Sequence, residues 1–210
     1  MGYKFAMLSV ISGIIPVLAA LFNYKQIDNV LKIAATFFLV SFLFDVGFWI
    51  ALETGGGNLN DMPFVHLYLL VSLGFYSVIY YHLILNMTLK RIVIILSIMT
   101  LIAFLYNALK LLSYPTISNT ALSILLIILS LVYFYQLLNR QEYVYIEKQG
   151  WFWINAGILF YSAVNIFLFM LFNQIPKDLR ANILIIHSVT NIIANILYSV
   201  GLFCKPQKTT

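Results

Sequence analysis

Four polar side chains near the end of the sequence recur at intervals of four, four and three residues: His187, Asn191, Asn195 and Tyr198. In an α-helix this spacing places all four on one face. An imidazole beside amides can take up a proton, bind a metal ion or hydrogen-bond a small ligand. Alternatively, such groups only join neighbouring membrane helices by hydrogen bonds. We expect that structural role for Asn195, Tyr198 and also Asn155, and leave both roles open for His187 and Asn191.

Asp45 is the only acidic residue deep inside any of the apolar stretches of the chain. A carboxylate removed from water needs a cation or hydrogen-bond donors as partners. Lys32, the nearest basic residue in the sequence, lies too far along the same stretch to reach it. We therefore expect Asp45 to belong to a polar site, with His187 or His66 as its partner.

These polar residues lie in seven long apolar stretches separated by short polar segments. Hydrophobic residues make up 62% of the 210 residues and charged residues only 9%, whereas about 25% of a soluble domain is charged. A hydrocarbon core of about 30 Å is crossed by roughly 20 apolar residues in a helix, and the runs are continuous rather than alternating as in barrel strands. The sequence predicts one all-α membrane domain over residues 1–210, a seven-transmembrane-helix bundle with spans at about 5–23, 30–52, 64–85, 92–110, 117–138, 151–172 and 182–203.

The basic residues predict the orientation of the bundle. With the N-terminus outside and the C-terminus cytoplasmic, four basic residues lie in outer segments and eight in cytoplasmic ones, as the positive-inside rule expects. The outer ones are Lys4, Lys110, Lys177 and Arg180, and the cytoplasmic ones are Lys25, Lys32, Lys90, Arg91, Arg140, Lys148, Lys205 and Lys208. Trp151 and Trp153, at the inner start of span 6, fit an interfacial aromatic belt. The net charge of +5 thus has a bilayer as its partner, and we expect no nucleic acid.

The orientation allows the depths of the polar residues to be compared. At 1.5 Å per residue, Asp45 and Asn165 lie ~10 Å and His187 ~8 Å below the outer ends of their spans. His66 and Tyr68 follow the outer end of span 3, and Asn107 lies at the outer end of span 4. We predict a polar cavity that opens outwards and binds a ligand through Asp45, His66, Tyr68, Asn107, Asn165, His187 and Asn191.

Several chemistries can be tested against these residues. A retinal protein needs a lysine inside the last span, which has none. His66 and His187 differ in depth, which disfavours a haem between them. Together with Asp45 they offer two histidines and one carboxylate, enough to hold a metal, but the third histidine of seven-helix zinc hydrolases is missing. We therefore expect no cofactor, leave a metal open, and favour a binding protein over an enzyme.

Three short runs resemble those of an uncharacterised group of bacterial seven-helix integral membrane proteins: His66-Leu67-Tyr68, Trp151-Phe152-Trp153-Ile154-Asn155, and Ile186-His187-Ser188-Val189-Thr190-Asn191. The group is similar in its His-Ser-x-x-Asn final span and its Phe-Trp-Ile-Asn sixth span. Ser72 stands where an acidic residue would be expected in that group. The resemblance covers most of the chain and implies the architecture and a bacterial inner membrane, not an activity.

These observations favour a membrane sensor or ligand-binding subunit. The inner loops are too short to hold a signalling enzyme, so such a subunit would act through a separate membrane or cytoplasmic partner. A transporter of small solutes or a proton-coupled carrier is the first alternative, and a metal-dependent intramembrane hydrolase is the second.

Overall fold

The computed structural model describes residues 2–54, 62–109, 111–139, 146–171, 174, 176 and 180–204. All regular elements among these residues are helical. They are α1 (Gly2–Ser12), α2 (Ile14–Asn23), α3 (Asn29–Thr54), α4 (Met62–Leu83), α5 (Met87–Ala108), α6 (Thr116–Leu138), a short 3-10 helix (Ile146–Lys148), α7 (Gly150–Leu171) and α8 (Arg180–Phe203). Seven helical segments, the first formed by α1 and α2 together, are long and apolar enough to cross a membrane. The predicted number and approximate positions of the spans are therefore confirmed.

The start of the fourth span is the largest difference from the prediction. Helix α5 begins at Met87, whereas the apolar run suggested a start near residue 92. The Asn86 side chain caps the helix, because its oxygen accepts hydrogen bonds from the backbone N–H groups of Thr88 and Leu89 at 2.8 and 3.4 Å. The first turn of α5 is thus helical although it is polar and precedes the apolar run. Residues 110 and 172, the predicted ends of spans 4 and 6, lie outside the described residues.

Five of the basic residues that predict the orientation lie outside the residues that the structure describes. They are Lys110, Arg140, Lys177, Lys205 and Lys208. The orientation therefore stays a prediction.

The first span is interrupted at Gly13, which separates α1 from α2. Pro16 has no N–H group and cannot donate to the carbonyl of Ser12, so the regular ladder cannot continue through this turn. The Gly13 N–H instead donates to the carbonyl of Val10 at 3.1 Å, a tighter three-residue turn. The interruption thus lies close to Pro16.

Consecutive helices pack side by side from α2 to α8, and the bundle closes where α1 and α2 pack against α8. Helix α4 also contacts α6 directly. As a result α5, which packs chiefly against α4 and α6, lies outside the closed ring formed by the other spans. This arrangement leaves α5 at the periphery of the bundle.

Helices α7 and α8 approach closely because glycines face each other at their contact. A Cβ atom added to Gly201 would lie 2.6 Å from the Gly150 carbonyl oxygen and 2.7 Å from Cγ1 of Ile154. One added to Gly150 would collide with the Gly201 carbonyl oxygen, and one added to Gly157 would lie 2.6 Å from the Tyr198 ring. Small residues at such contacts are how membrane helices gain close van der Waals packing.

A buried hydrogen-bond network joins α4, α6 and α7 in the predicted inner half of the bundle. The Tyr80 hydroxyl donates to Asn155 Oδ1 at 2.7 Å and lies 2.8 Å from Ser130 Oγ. Asn155 Nδ2 donates in turn to the Trp151 carbonyl at 2.9 Å. Tyr80, Ser130 and Asn155 are all fully buried, at 0% exposure. The structural role expected for Asn155 is the one that these contacts describe.

Candidate functional site

A cavity of about 250 Å³ lies inside the ring of helices. Each span except α5 contributes described residues to its lining, and so does Tyr114 in the connection before α6. We call it the polar cavity, and its polar lining residues are Ser41, Asp45, Tyr68, Tyr76, Tyr114, Asn119, Tyr161, His187, Asn191, Asn195 and Tyr198. It extends from the end of the bundle where α3 ends and α4 begins, the predicted outer end, towards the middle. There the rings of Phe38 and Tyr198 stack with centroids 4.6 Å apart and form its floor.

Asp45 contributes the single formal charge among the described lining residues. Within the described part of the chain its carboxylate has no ion pair and no hydrogen bond, so the predicted pairing with His66 or His187 is not formed there. An ionised carboxylate is costly in an apolar setting without a partner. Asp45 is therefore the lining group that most needs an ionic or hydrogen-bonding partner from a ligand.

His187 is held in one orientation by a chain of hydrogen bonds to α7. Its Nδ1 lies 2.7 Å from Asn165 Oδ1, and Asn165 Nδ2 donates to the Tyr161 carbonyl at 2.9 Å. Since that carbonyl can only accept, Asn165 Oδ1 is the atom that faces the ring, and His187 Nδ1 must carry the proton. In the neutral ring Nε2 then has a free lone pair. The rings of Tyr161 and Phe169 pack against the imidazole at centroid distances of 5.8 and 5.5 Å.

Two amides of α8 bind the serines that precede the break in span 1. Asn195 Nδ2 donates to Ser12 Oγ and Asn191 Nδ2 to Ser9 Oγ, each at 2.9 Å. The Ser12 hydroxyl donates to the Ser9 carbonyl at 2.7 Å, so it can only accept from Asn195. Asn195 therefore joins helices, as expected, and also lines the cavity together with Asn191.

The structure brings together four of the seven predicted site residues. Asp45, Tyr68, His187 and Asn191 line the polar cavity. Asn165 is fully buried at 0% exposure and lies behind His187 rather than in the cavity wall.

The other two predicted site residues are placed elsewhere. Asn107 is buried on the peripheral α5 and is not among the lining residues. His66 lies on α4 outside the cavity, and its buried Nε2 has no partner among the described residues. The two histidines and Asp45 are consequently not gathered, and no three potential metal ligands converge within the residues that the structure describes.

Sequence reasoning missed Asn119, Tyr114 and most of the aromatic wall. Asn119 lies in the first turn of α6, and the comparison of depths would have identified it if applied to the outer end of span 5. The aromatic residues carry no such signal, because aromatic residues are frequent throughout the chain at 16%.

No protein-family model matches the sequence, and neither a curated protein nor a solved structure is significantly similar to it. The resemblance to bacterial seven-helix membrane proteins therefore stays a prediction.

Proposed function

We propose that this protein is a ligand-binding subunit of a membrane sensor, with the polar cavity as its binding site. The observation that carries the proposal is the Asp45 carboxylate, which lines the polar cavity without a partner among the described residues. Small-ligand sites are concave and mostly apolar, with a few polar groups that fix the orientation of the ligand. Tyr68, Asn119, His187 and Asn191 supply such groups.

The proposed location is a bacterial inner membrane, with the N-terminus outside and the C-terminus in the cytoplasm. The distribution of basic residues supports the orientation, and the resemblance in the three short runs supports the bacterial membrane. In this orientation the cavity opens towards the outside. A ligand would reach Asp45 from there without crossing the membrane.

Signal output would require a partner protein. The connection between α2 and α3 is short, and so is that between α4 and α5. Neither has room for a signalling enzyme. A membrane or cytoplasmic partner would therefore read the state of the bundle, and cross-linking in native membranes would have to recover it.

Native mass spectrometry tests whether the cavity holds a ligand. The wild-type protein, released from its own membranes, is expected to carry a small molecule that is missing from both Asp45→Asn and His187→Ala. The first variant removes the charge and the second removes the imidazole held by Asn165. If all three proteins are equally folded and none carries a bound molecule, the polar residues only join helices and the proposal is wrong.

A transporter is the second candidate, and one observation favours it. Gly13 and Pro16, at the interruption between α1 and α2, line the polar cavity. Discontinuous helices beside a central site are typical of secondary transporters. Flux of the recovered ligand into proteoliposomes, lost in Asp45→Asn, would distinguish a transporter from a sensor.

The orientation can be tested with Cys204, the single cysteine of the chain. It follows α8 at the predicted cytoplasmic end and is partly exposed. A membrane-impermeant maleimide is expected to leave Cys204 unlabelled in intact cells and to label it after permeabilisation. Partial burial raises the pKa of the Cys204 thiol, so labelling in permeabilised cells is the reference for its reactivity.

The matched control for this test places the thiol at the other end of the bundle. Leu109, at the end of α5, is 81% exposed. In a Cys204→Ser background, Leu109→Cys is expected to be labelled in intact cells. The reverse pattern of labelling would mean that the cavity opens to the cytoplasm.

A further inference from the structure

The described lining residues of the polar cavity favour a ligand of one charge. They include one carboxylate, Asp45, and no lysine or arginine. An anionic ligand would meet this carboxylate without a counter-charge, and a neutral ligand would leave the carboxylate without an ionic partner. A positively charged ligand supplies what Asp45 lacks.

Two hydrogen-bonding side chains of the lining add acceptors to this carboxylate. Asn195 commits its Nδ2 to Ser12, and His187 commits its Nδ1–H to Asn165. On these two side chains, Asn195 Oδ1 and His187 Nε2 remain as acceptors of hydrogen bonds, beside the second N–H of Asn195. Together with the Asp45 carboxylate, these are three acceptors around one cavity. They match a ligand that donates hydrogen bonds, as an ammonium group does.

Aromatic rings form the rest of the wall. Phenylalanine and tyrosine account for ten of the twenty lining residues, against 17 phenylalanines and 14 tyrosines among the 210 residues of the chain. Phe38, Phe42 and Phe48 lie on α3 at helical spacing from Asp45, and so share its face. Faces of such rings attract cations. A carboxylate surrounded by aromatic rings is thus a suitable environment for an organic cation.

The volume limits the size of the ligand. A dry cavity of about 150 Å³ holds benzene, and pockets for drug-sized molecules begin at roughly 300 Å³. The polar cavity, at about 250 Å³, lies between these values. It suits one ring, or a group of similar size, with a short charged substituent.

We propose that the ligand is a small organic ammonium ion, with its charge on Asp45 and its apolar part against the aromatic wall. This inference rests on the proposed function, because it names the class of ligand for the same cavity. His187 Nε2, which lies at a similar depth to Asp45, would accept a further hydrogen bond of the ammonium group.

The test uses three probes that share a phenyl ring and differ in charge: benzylammonium, benzyl alcohol and benzoate. Binding of each to the purified full-length protein in detergent is measured by calorimetry. Benzylammonium is expected to bind saturably at one site per chain, with an affinity at least about tenfold above that of the other two. In Asp45→Asn its affinity is expected to fall by at least about tenfold, towards that of benzyl alcohol.

Two further variants separate the site from general effects. Glu147→Gln removes an exposed carboxylate outside the cavity and should leave the affinity within about twofold, because a surface charge contributes little. Phe48→Leu keeps the carboxylate but removes one ring of the wall, and should weaken benzylammonium by several-fold. This second variant tests the site independently if Asp45→Asn does not fold.

Three results would overturn the inference. The first is that benzylammonium does not bind saturably. The second is that benzyl alcohol or benzoate binds as tightly as benzylammonium. The third is that Asp45→Asn and Phe48→Leu bind benzylammonium like the wild type. The native mass spectrum decides the proposed function separately. A neutral or anionic molecule found there, and lost in Asp45→Asn, would retain the binding site and reject only the ammonium class.

Discussion

Gly201→Ala is expected to lower the free energy of unfolding by about 3 kcal/mol, in the upper range for overpacked sites. The new methyl group would lie 2.6 Å from the carbonyl oxygen of Gly150, and α7 could accept it only by moving away from α8. The obstacle is backbone rather than a side chain that can rotate. Reversible unfolding in mixed detergent micelles, followed by tryptophan fluorescence, measures the change.

Gly74→Ala is the matched control for this substitution. Gly74 also lies within a membrane helix, α4, but nothing lies within 4 Å of a Cβ atom added there. Alanine is a better helix former than glycine, so stability should stay the same or rise by up to about 1 kcal/mol. Equal losses for the two variants would show that the α7–α8 contact is not as close as described.

The second large effect is expected at the network between α4, α6 and α7. Asn155→Ala removes the acceptor of the Tyr80 hydroxyl and the donor to the Trp151 carbonyl, and leaves a void at a fully buried position. Hydrogen bonds between membrane helices average about 0.6 kcal/mol. The void and the unsatisfied groups add to this, so we expect a loss of about 2 kcal/mol in all.

Asn139→Ala is the matched control for the stability effect of Asn155→Ala. Both side chains donate from Nδ2 to the carbonyl four residues earlier at 2.9 Å, but Asn139 is exposed at the end of α6. Its replacement should change stability by less than about 0.5 kcal/mol. A double-mutant cycle of Asn155→Ala with Tyr80→Phe should give a coupling energy of about 1 kcal/mol. No coupling would mean that the void alone accounts for the loss.

The spans could be read from the sequence because the bilayer imposes one simple condition on them. A run long and apolar enough to cross the hydrocarbon core is visible without knowledge of any neighbour. The condition fails where a helix extends beyond the core, as α5 does at its start. There the capping geometry of Asn86, rather than hydropathy, decides where the helix begins.

The site was predictable in depth but not in direction. Depth follows from the position of a residue along its span, and four of the residues selected by depth, Asp45, Tyr68, His187 and Asn191, line one cavity. Which side of a helix faces the centre depends on the rotation of that helix and on its neighbours. For this reason Asn107 was expected in the cavity, although α5 lies outside the ring.

The balance of hydrogen-bond donors and acceptors in the cavity could not be predicted from the sequence for a related reason. From the sequence, an asparagine or histidine is both a donor and an acceptor. Only the contacts with Asn165 and Ser12 reveal that His187 has used its donor elsewhere and Asn195 one of its two N–H groups. The chemical character of the site is therefore set by partners distant in the chain.

The contact of Ser9 and Ser12 with the amides of α8 joins the first span to the last. A ribosome produces the chain from its N-terminus, so α1 enters the bilayer while α8 has not yet been translated. Until then these serine hydroxyls lack the amides that they bind in the finished molecule. The seam between α1 and α8 thus cannot form before α8 is made, and the cavity has no closed wall before α8 is inserted.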